Sequence, residues 1–181
     1  MMAKQALSLV GMSNRPGPDR IIALSADLES SRRVEDREGL AARIEAVLAG
    51  LNHRHRADLL APLETTRGLD EISAVLARRR PAFELVVGLN LALWPHRFRF
   101  ALADGYLDVV GERASDMDGP AFHRAADALA RARKHALPLT LDFERSPAAG
   151  ARLAEAAARM HHLMMGQWTE KIAEGGGALH P

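Results

Sequence analysis

The sequence predicts an α+β domain in which helices pack on one sheet, and two observations support this. Hydrophobic residues recur alternately at strand-like and helix-like spacing, in the order strand, helix, two strands, helix, strand or hairpin, helix, strand, helix. The first part of this order matches the split βαββαβ pattern. We therefore expect that pattern, extended at its C-terminal end by an extra strand and helix.

The size and composition of the chain allow one such domain. It has 181 residues, of which 48% are hydrophobic, enough to build a single core. Residues 1–19 are expected to be a flexible segment because they include a Pro-Gly-Pro linker. Residues 174–181 are expected to be a flexible tail because they include three consecutive glycines. The predicted domain is residues 20–173.

The first strand, the first helix and the second strand follow from local patterns. Residues 21–26 form a nearly continuous apolar run, which is typical of a strand covered on both faces. From Asp36 to Leu51 apolar residues recur at helical spacing, which predicts an amphipathic helix. Residues 59–66 predict a second strand, placed at a sheet edge because Pro62 has no backbone N–H to donate.

A hairpin and a buried helix come next. Residues 67–70 predict a tight turn, and residues 71–76 predict the strand that returns from it. Residues 81–94 are strongly apolar, with Pro81 at the start and Pro95 directly after the end. This arrangement predicts a largely buried helix bounded by two prolines.

The second half begins with a predicted hairpin. Residues 98–102 alternate between apolar and other side chains, as in a half-covered strand. Asp104 and Gly105 form a typical turn pair, so we expect a turn there and a further strand at residues 106–110.

The chain then predicts a helix, a short strand and a final helix. The first of these helices begins at Gly119 and Pro120, and residues 139–143 alternate as the last strand. The final helix is rich in alanine and carries an apolar stripe that we expect to pack against the core or a partner helix. The stripe consists of Leu153, Ala157, Met160, Met164 and Trp168.

Composition excludes several classes of function. The chain has 24 Lys and Arg against 23 Asp and Glu, so it has no overall charge bias toward nucleic acid or acidic lipid. It has no cysteine, which excludes disulfides and thiolate chemistry. The apolar run at residues 6–12 is too short for a signal peptide or membrane span. We expect a cytoplasmic protein that does not act at a membrane.

Three acidic residues form the first candidate site. Asp27 follows the first strand, and Asp70 and Glu71 lie at the turn of the hairpin. In a βαββαβ sheet these strands are neighbours, so the carboxylates can converge on a hard cation such as Mg²⁺. The alternative is that Asp27 caps the following turn and that Asp70 and Glu71 are ordinary turn residues.

The segment from Asp118 to Arg124 forms the second candidate site. Asp118 can cap the helix that Pro120 begins, and Gly119 relieves the backbone at that entry. His123 and Arg124 lie in the first turn, where free backbone N–H groups favour an anion. We interpret Gly119, His123 and Arg124 as a phosphate or nucleotide site, with capping and a solvated first turn as the alternative.

Three runs of sequence resemble one bacterial family. The runs are ALSADLESSRRVEDREGL, TTRGLDEISAVL and MDGPAFHRAADAL, and together they resemble the SatD family over about residues 20–134. The resemblance implies a ferredoxin-like core related to the palm of class III nucleotidyl cyclases and diguanylate cyclases. It also implies that Asp27 and Asp70, with Glu71 beside them, are ligands of a metal such as Mg²⁺. This chain has Ala26 and Leu69 where the family pattern has glycines beside these acids.

The leading functional hypothesis is a SatD-like cytoplasmic regulator that binds a nucleotide or phosphate ligand, with or without Mg²⁺. One alternative is an active metal-dependent nucleotidyltransferase or cyclase that uses the same carboxylates. Another is a structural or interaction protein that forms a homodimer through the stripe of the final helix. Family relatives often continue into a helix-turn-helix, whereas this chain ends at Pro181, so DNA binding is not expected.

Overall fold

The computed structural model describes residues 20–144 and 148–168. These residues form a five-stranded sheet, four α-helices and two short 3-10 turns. No helix among them is long and apolar enough to cross a membrane. The strands are β1 (Ile21–Leu28), β2 (Leu59–Thr65), β3 (Glu71–Leu76), β4 (Phe98–Gly105) and β5 (Leu139–Asp142), and the helices are α1 (Arg37–Arg54), α2 (Arg80–Ala92), α3 (Pro120–His135) and α4 (Ala148–Met165).

The strand order confirms the predicted fold. The sheet runs β2-β3-β1-β4-β5. β1 pairs antiparallel with both β3 and β4, and β2 forms a hairpin with β3. This is the ferredoxin-like βαββαβ arrangement, with β2 at the edge where its proline requires it. β5 adds to the sheet parallel to β4 and, with α4, forms the predicted extension.

The two faces of the sheet carry different helices because side chains alternate along β1. Ile22 and Leu24 belong to the large core under α1 and α2. Ile21 and Ala23 belong to a smaller core with Ala121 of α3. Asp27 is an even number of residues from Ile21 and Ala23, so its side chain lies on the same face as theirs, the face that α3 covers.

The predicted turn at Asp104 and Gly105 is wrong. β4 continues through both residues, and residues 106–110 form no further strand. Asp104 is only 1% exposed and accepts hydrogen bonds from Arg20 and Arg79. A Cβ on Gly105 would lie 2.8 Å from the backbone nitrogen of Ala121. This glycine therefore allows the first turn of α3 to approach the sheet closely.

Helix α4 protects the free edge of β5 but presents its predicted apolar stripe to solvent. Glu155 Oε1 accepts a hydrogen bond of 2.9 Å from the Leu141 backbone N–H. Met165 is buried, whereas Met160 and Met164 are 65% and 60% exposed. The stripe is thus not packed against the core of this chain.

Candidate functional site

Asp27 lies at one end of the sheet, between two arginines and a second carboxylate. It is paired with Glu71 on β3 and with Arg99 on β4, so the three side chains lie on the α3 face of the sheet. Arg133 of α3 donates a 2.7 Å hydrogen bond from Nη2 to Asp27 Oδ1 and lies 3.6 Å from Glu71 Oε2. The hydrogen bond to Asp27 raises the pKa of Arg133. We call this region the Asp27 end.

Asp70 lies on the other face of the sheet from Asp27 and Glu71. Its Oδ1 is 3.9 Å from Nη2 of Arg37 in α1, and its backbone oxygen accepts a 2.8 Å hydrogen bond from the Leu28 N–H. The structure therefore brings Asp27 and Glu71 together and places Asp70 beside α1. Within residues 20–144 and 148–168 no group of three or more His, Asp or Glu side chains could hold a metal ion.

The two facing carboxylates do not fit a magnesium ion as they stand. A Mg²⁺ ion needs a near-octahedral set of oxygen ligands and usually takes one or two carboxylates. Asp27 and Glu71 could supply two, but the guanidinium of Arg133 already contacts both. A divalent cation would have to displace this positive charge.

Gly119 and His123 lie at the opposite end of the sheet. Gly119, and not Asp118, is the residue that precedes the first turn of α3. Its φ of 144° and a Cβ position only 2.7 Å from the Asp108 nitrogen require glycine. Asp118 Oδ1 accepts a 2.8 Å hydrogen bond from the Gly119 N–H and lies 3.2 Å from Nε2 of the exposed His123. The loop geometry thus accounts for Gly119 and Asp118.

Arg124 is held by a dense set of acidic partners. It contacts the Asp142 carboxylate, lies 2.8 Å from Glu144 Oε1, and donates to the Asp104 backbone oxygen at 3.2 Å. Burial alone would raise the pKa of Asp142, but Arg124 and Arg131 hold it below its ordinary value. We call this cluster the Asp104 end.

The two predicted sites do not meet. Asp104 pairs with Ile22, five residues along β1 from Asp27. At a rise of about 3.3 Å per residue this separates them by roughly 17 Å. The predicted metal ligands and the predicted phosphate contacts therefore cannot bind the same small phosphate group.

A cleft that the sequence did not predict opens at the Asp27 end. It has a volume of about 640 Å³ and lies between the β1–α1 connection and the α2–β4 connection. Its walls come from these two connections and from the start of α1, which are distant in sequence, so no single motif marks it. The signal in the sequence is the pair of arginines that ends the run ESSRR after β1. The ionisable lining residues are Glu29, Arg33, Glu35, Asp36, Arg43, His96 and Arg97.

Most of the acids of the cleft are engaged elsewhere. Asp36 accepts a 2.8 Å hydrogen bond from the Gly39 N–H and so caps α1. Glu29 lies 3.6 Å from Arg99 and 3.7 Å from His162. One arginine of the cleft is engaged as well, because Arg43 donates a hydrogen bond of 2.6 Å to the Ala92 backbone oxygen.

Two arginines of the cleft are available for a ligand. Arg33 and Arg97 form no ion pair with any residue that the structure describes. Ser30, which also lines the cleft, has a φ of 56°, a conformation that costs energy for a non-glycine residue. Burial and the nearby Arg43 lower the pKa of His96, so this side chain is neutral at pH 7. The cleft thus offers two guanidinium groups and a neutral imidazole, and Glu35 is an acid on its lining for which the described residues supply no ion pair.

Two solved structures are similar to this chain at low sequence identity. A bacterial light-regulated adenylyl cyclase matches with a TM-score of 0.48 and 15% identity over 71% of this chain and 44% of its own. The guanylyl cyclase Cya2 matches with a TM-score of 0.44 and 15% identity over 64% of this chain and 73% of its own. The chain thus spans less than half the length of the adenylyl cyclase. At these scores the fold assignment rests on the strand order alone.

Sequence comparison gives the family. No curated protein matches the chain. The model of the SatD family matches residues 21–136, which include β1 to β4 and the whole of α3. This match covers more than half of the chain and contains the three runs that carried the resemblance, and the chain therefore belongs to the SatD family.

Proposed function

We propose that this protein is a cytoplasmic regulator that binds a nucleotide or another phosphate-bearing ligand in the cleft at the Asp27 end. The observation that carries the proposal is the pair of arginines without ion partners among the described residues, Arg33 and Arg97, in a cleft of about 640 Å³. Small-molecule sites usually have volumes of about 300–1,000 Å³. The absence of cysteine supports a reducing compartment.

Arginine suits phosphate because its planar fork can donate two parallel hydrogen bonds to phosphate oxygens. The backbone at the start of α1 is less available, since Asp36 already accepts from the Gly39 N–H. Side chains therefore supply the phosphate contacts in this proposal. The strained backbone at Ser30 supports it too, because such strain clusters at ligand sites.

The proposal moves the phosphate contacts from His123 and Arg124 to Arg33 and Arg97. Arg124 is surrounded by Asp142 and Glu144, which would repel a phosphate. The proposal assigns no reaction to Asp27 and Glu71, which do not line the cleft. Catalysis by a nucleotidyltransferase mechanism is not part of the proposal.

Calorimetric titration with ATP and with inorganic phosphate tests the proposal. We expect wild-type protein to bind ATP, and Arg33→Gln and Arg97→Gln each to weaken binding about tenfold or more, since a hydrogen bond to a charged group contributes about 1.5–3 kcal/mol. Arg32→Gln is the matched control, because Arg32 is exposed beside the cleft but does not line it. ATP should be recovered unchanged.

Two results would contradict the proposal. The first is the absence of binding heat with both ATP and phosphate at millimolar concentration. The second is equal weakening by the Arg32 control, which would show a diffuse electrostatic effect and no defined site.

A further inference from the structure

The position of Arg133 bears on whether the Asp27 end uses a metal ion. Asp27 and Glu71 face each other on β1 and β3, and their side chains are only 15% and 23% exposed. Two nearby carboxylates repel each other unless a cation lies between them. Arg133 supplies that cation, at 2.7 Å from one carboxylate and 3.6 Å from the other.

The helix that carries Arg133 is fixed firmly on the sheet. α3 packs on β4, β1 and β5, and Ala125, Ala128 and Ala132 on its inner side are fully buried. Arg133 follows directly in the last turn, where a positive charge also interacts favourably with the helix dipole. Its guanidinium is therefore held near the carboxylates by the fold.

A second arginine completes the neutralisation. Arg99 Nη1 lies 4.0 Å from Asp27 Oδ2, and Arg99 Nη2 lies 3.6 Å from Glu29. Asp27, Glu29 and Glu71 thus each have an arginine partner. A divalent ion at Asp27 and Glu71 would meet this positive charge and would have to compete with a tethered guanidinium.

We propose that Arg133 is the resident cation of the Asp27–Glu71 pair. While Arg133 is in place the pair binds no divalent metal ion, and removal of its charge creates a metal site. A second consequence, which rests on the proposed function, is that the cleft binds its phosphate ligand without magnesium. The site therefore differs from the metal-dependent site that the family resemblance implied.

Mn²⁺ alone, followed by electron paramagnetic resonance, tests the first consequence. Wild-type protein should show no saturable Mn²⁺ binding that depends on Asp27. Arg133→Met keeps most of the apolar stem and removes the charge, and it should bind one Mn²⁺ at least about tenfold more tightly than the wild type does. Adding Asp27→Asn to that variant should abolish the gain.

Two outcomes would overturn the proposal. One is wild-type Mn²⁺ binding that Asp27→Asn removes. The other is a folded Arg133→Met protein, checked by its thermal melting curve, that binds Mn²⁺ no better than the wild type. If this variant does not fold, paramagnetic broadening of the Asp27 and Glu71 amide signals in wild-type protein decides, because the proposal predicts none.

The second consequence is tested by ATP titration in EDTA and in excess Mg²⁺. The affinity in EDTA should be at least as high as that in excess Mg²⁺, because Mg²⁺ neutralises part of the phosphate charge that the arginines bind. An absolute requirement for Mg²⁺ would overturn this part. The Mn²⁺ experiment involves no ATP, so its result stands even if ATP does not bind. Failure of the proposed function and failure of the Arg133 assignment are thus distinguishable.

Discussion

The two ends of the sheet are built from similar charges but use them differently. At the Asp104 end a carboxylate that is 1% exposed lies among Arg20, Arg79 and Arg124. At the Asp27 end a carboxylate that is 15% exposed lies between Arg99 and Arg133. Each is an acid on a central strand held by arginines from other elements.

The two ends differ in whether the arginines near them already have an ion partner. At the Asp104 end Arg20 and Arg124 are also paired with Glu144, and Arg79 stacks on the Phe143 ring at 4.6 Å. At the Asp27 end the neighbouring cleft contains Arg33 and Arg97, which have no ion partner among the described residues. A site for an anion therefore needs cations that the fold has not already neutralised.

Removal of the Asp104 carboxylate should have the largest effect on stability. In Asp104→Ala the arginines lose a fully buried partner, and we expect a loss of about 3 kcal/mol in the free energy of unfolding. Urea denaturation measures it. Asp27→Ala is the matched control at the other end and should cost about 1 kcal/mol, because its arginine partners reach solvent. Equal losses would remove the distinction between the ends.

The loop that leads into α3 at the Asp104 end should be nearly as sensitive. Gly119→Ala places a Cβ 2.7 Å from the Asp108 nitrogen at a φ of 144° and should cost about 2 kcal/mol. Gly50→Ala is the control, since Gly50 lies within α1 with nothing within 4 Å of its Cβ position. The control should be neutral or stabilising by about 0.5 kcal/mol. A neutral Gly119 variant would show that this loop adapts.

The two ends should lose stability in different pH ranges. Burial lowers the pKa of His96 and, with Arg97 and Arg99, that of His162, against the opposing effect of Glu29. As the pH falls, these histidines take up protons at a higher pH in the unfolded chain than in the folded one. The free energy of unfolding therefore decreases as the pH drops below about 6.5.

The carboxylate of Asp104 acts in a lower range. Burial alone would raise its pKa, but the Glu144 N–H, Arg20 and Arg79 hold the pKa below its ordinary value. Its contribution is complete above about pH 4 and is lost as the pH falls through the folded-state pKa. Urea denaturation from pH 8 to pH 3 should show both decreases. Burial also lowers the pKa of His161, so His96→Gln, His161→Gln and His162→Gln together should remove the upper decrease only. A single decrease in the wild type would contradict the assignment.

The smallest effect on stability is expected outside both ends, on the solvent side of α4. Leu153→Ser and Met160→Ser should each change the free energy of unfolding by less than about 0.5 kcal/mol, because these side chains are 73% and 65% exposed. Self-association through this stripe stays a prediction. Sedimentation velocity tests it: a dimer that Met160→Glu dissociates is expected, and a wild type that is monomeric at all concentrations contradicts it.

Local pattern predicted most of the fold. The strand at Glu71–Leu76 and the start of α3 at Pro120 lie where the sequence placed them. The spacing of apolar residues and the positions of prolines predict these elements directly, because both act within a single helix or strand. The predicted turn at Asp104 and Gly105 is wrong because both residues make contacts with distant parts of the chain. Asp104 belongs to an ion cluster, and Gly105 allows α3 to approach the sheet closely.

The candidate site was harder to predict for the same reason. The pairing of Asp27 with Glu71 follows from strand order, but the arrival of Arg133 depends on how α3 crosses the sheet. The cleft depends on two connections more than sixty residues apart, between Arg33 and Arg97. Such contacts between distant segments have no local signature in one sequence.

The most direct test of the account follows the arginine Nε–H signals by nuclear magnetic resonance during titration with ATP. The account predicts saturable shifts for Arg33 and Arg97 at the Asp27 end and unchanged signals for Arg20 and Arg124 at the Asp104 end. A saturable shift of Arg124, with Arg33 and Arg97 unchanged, would place the ligand at the other end of the sheet and contradict this prediction.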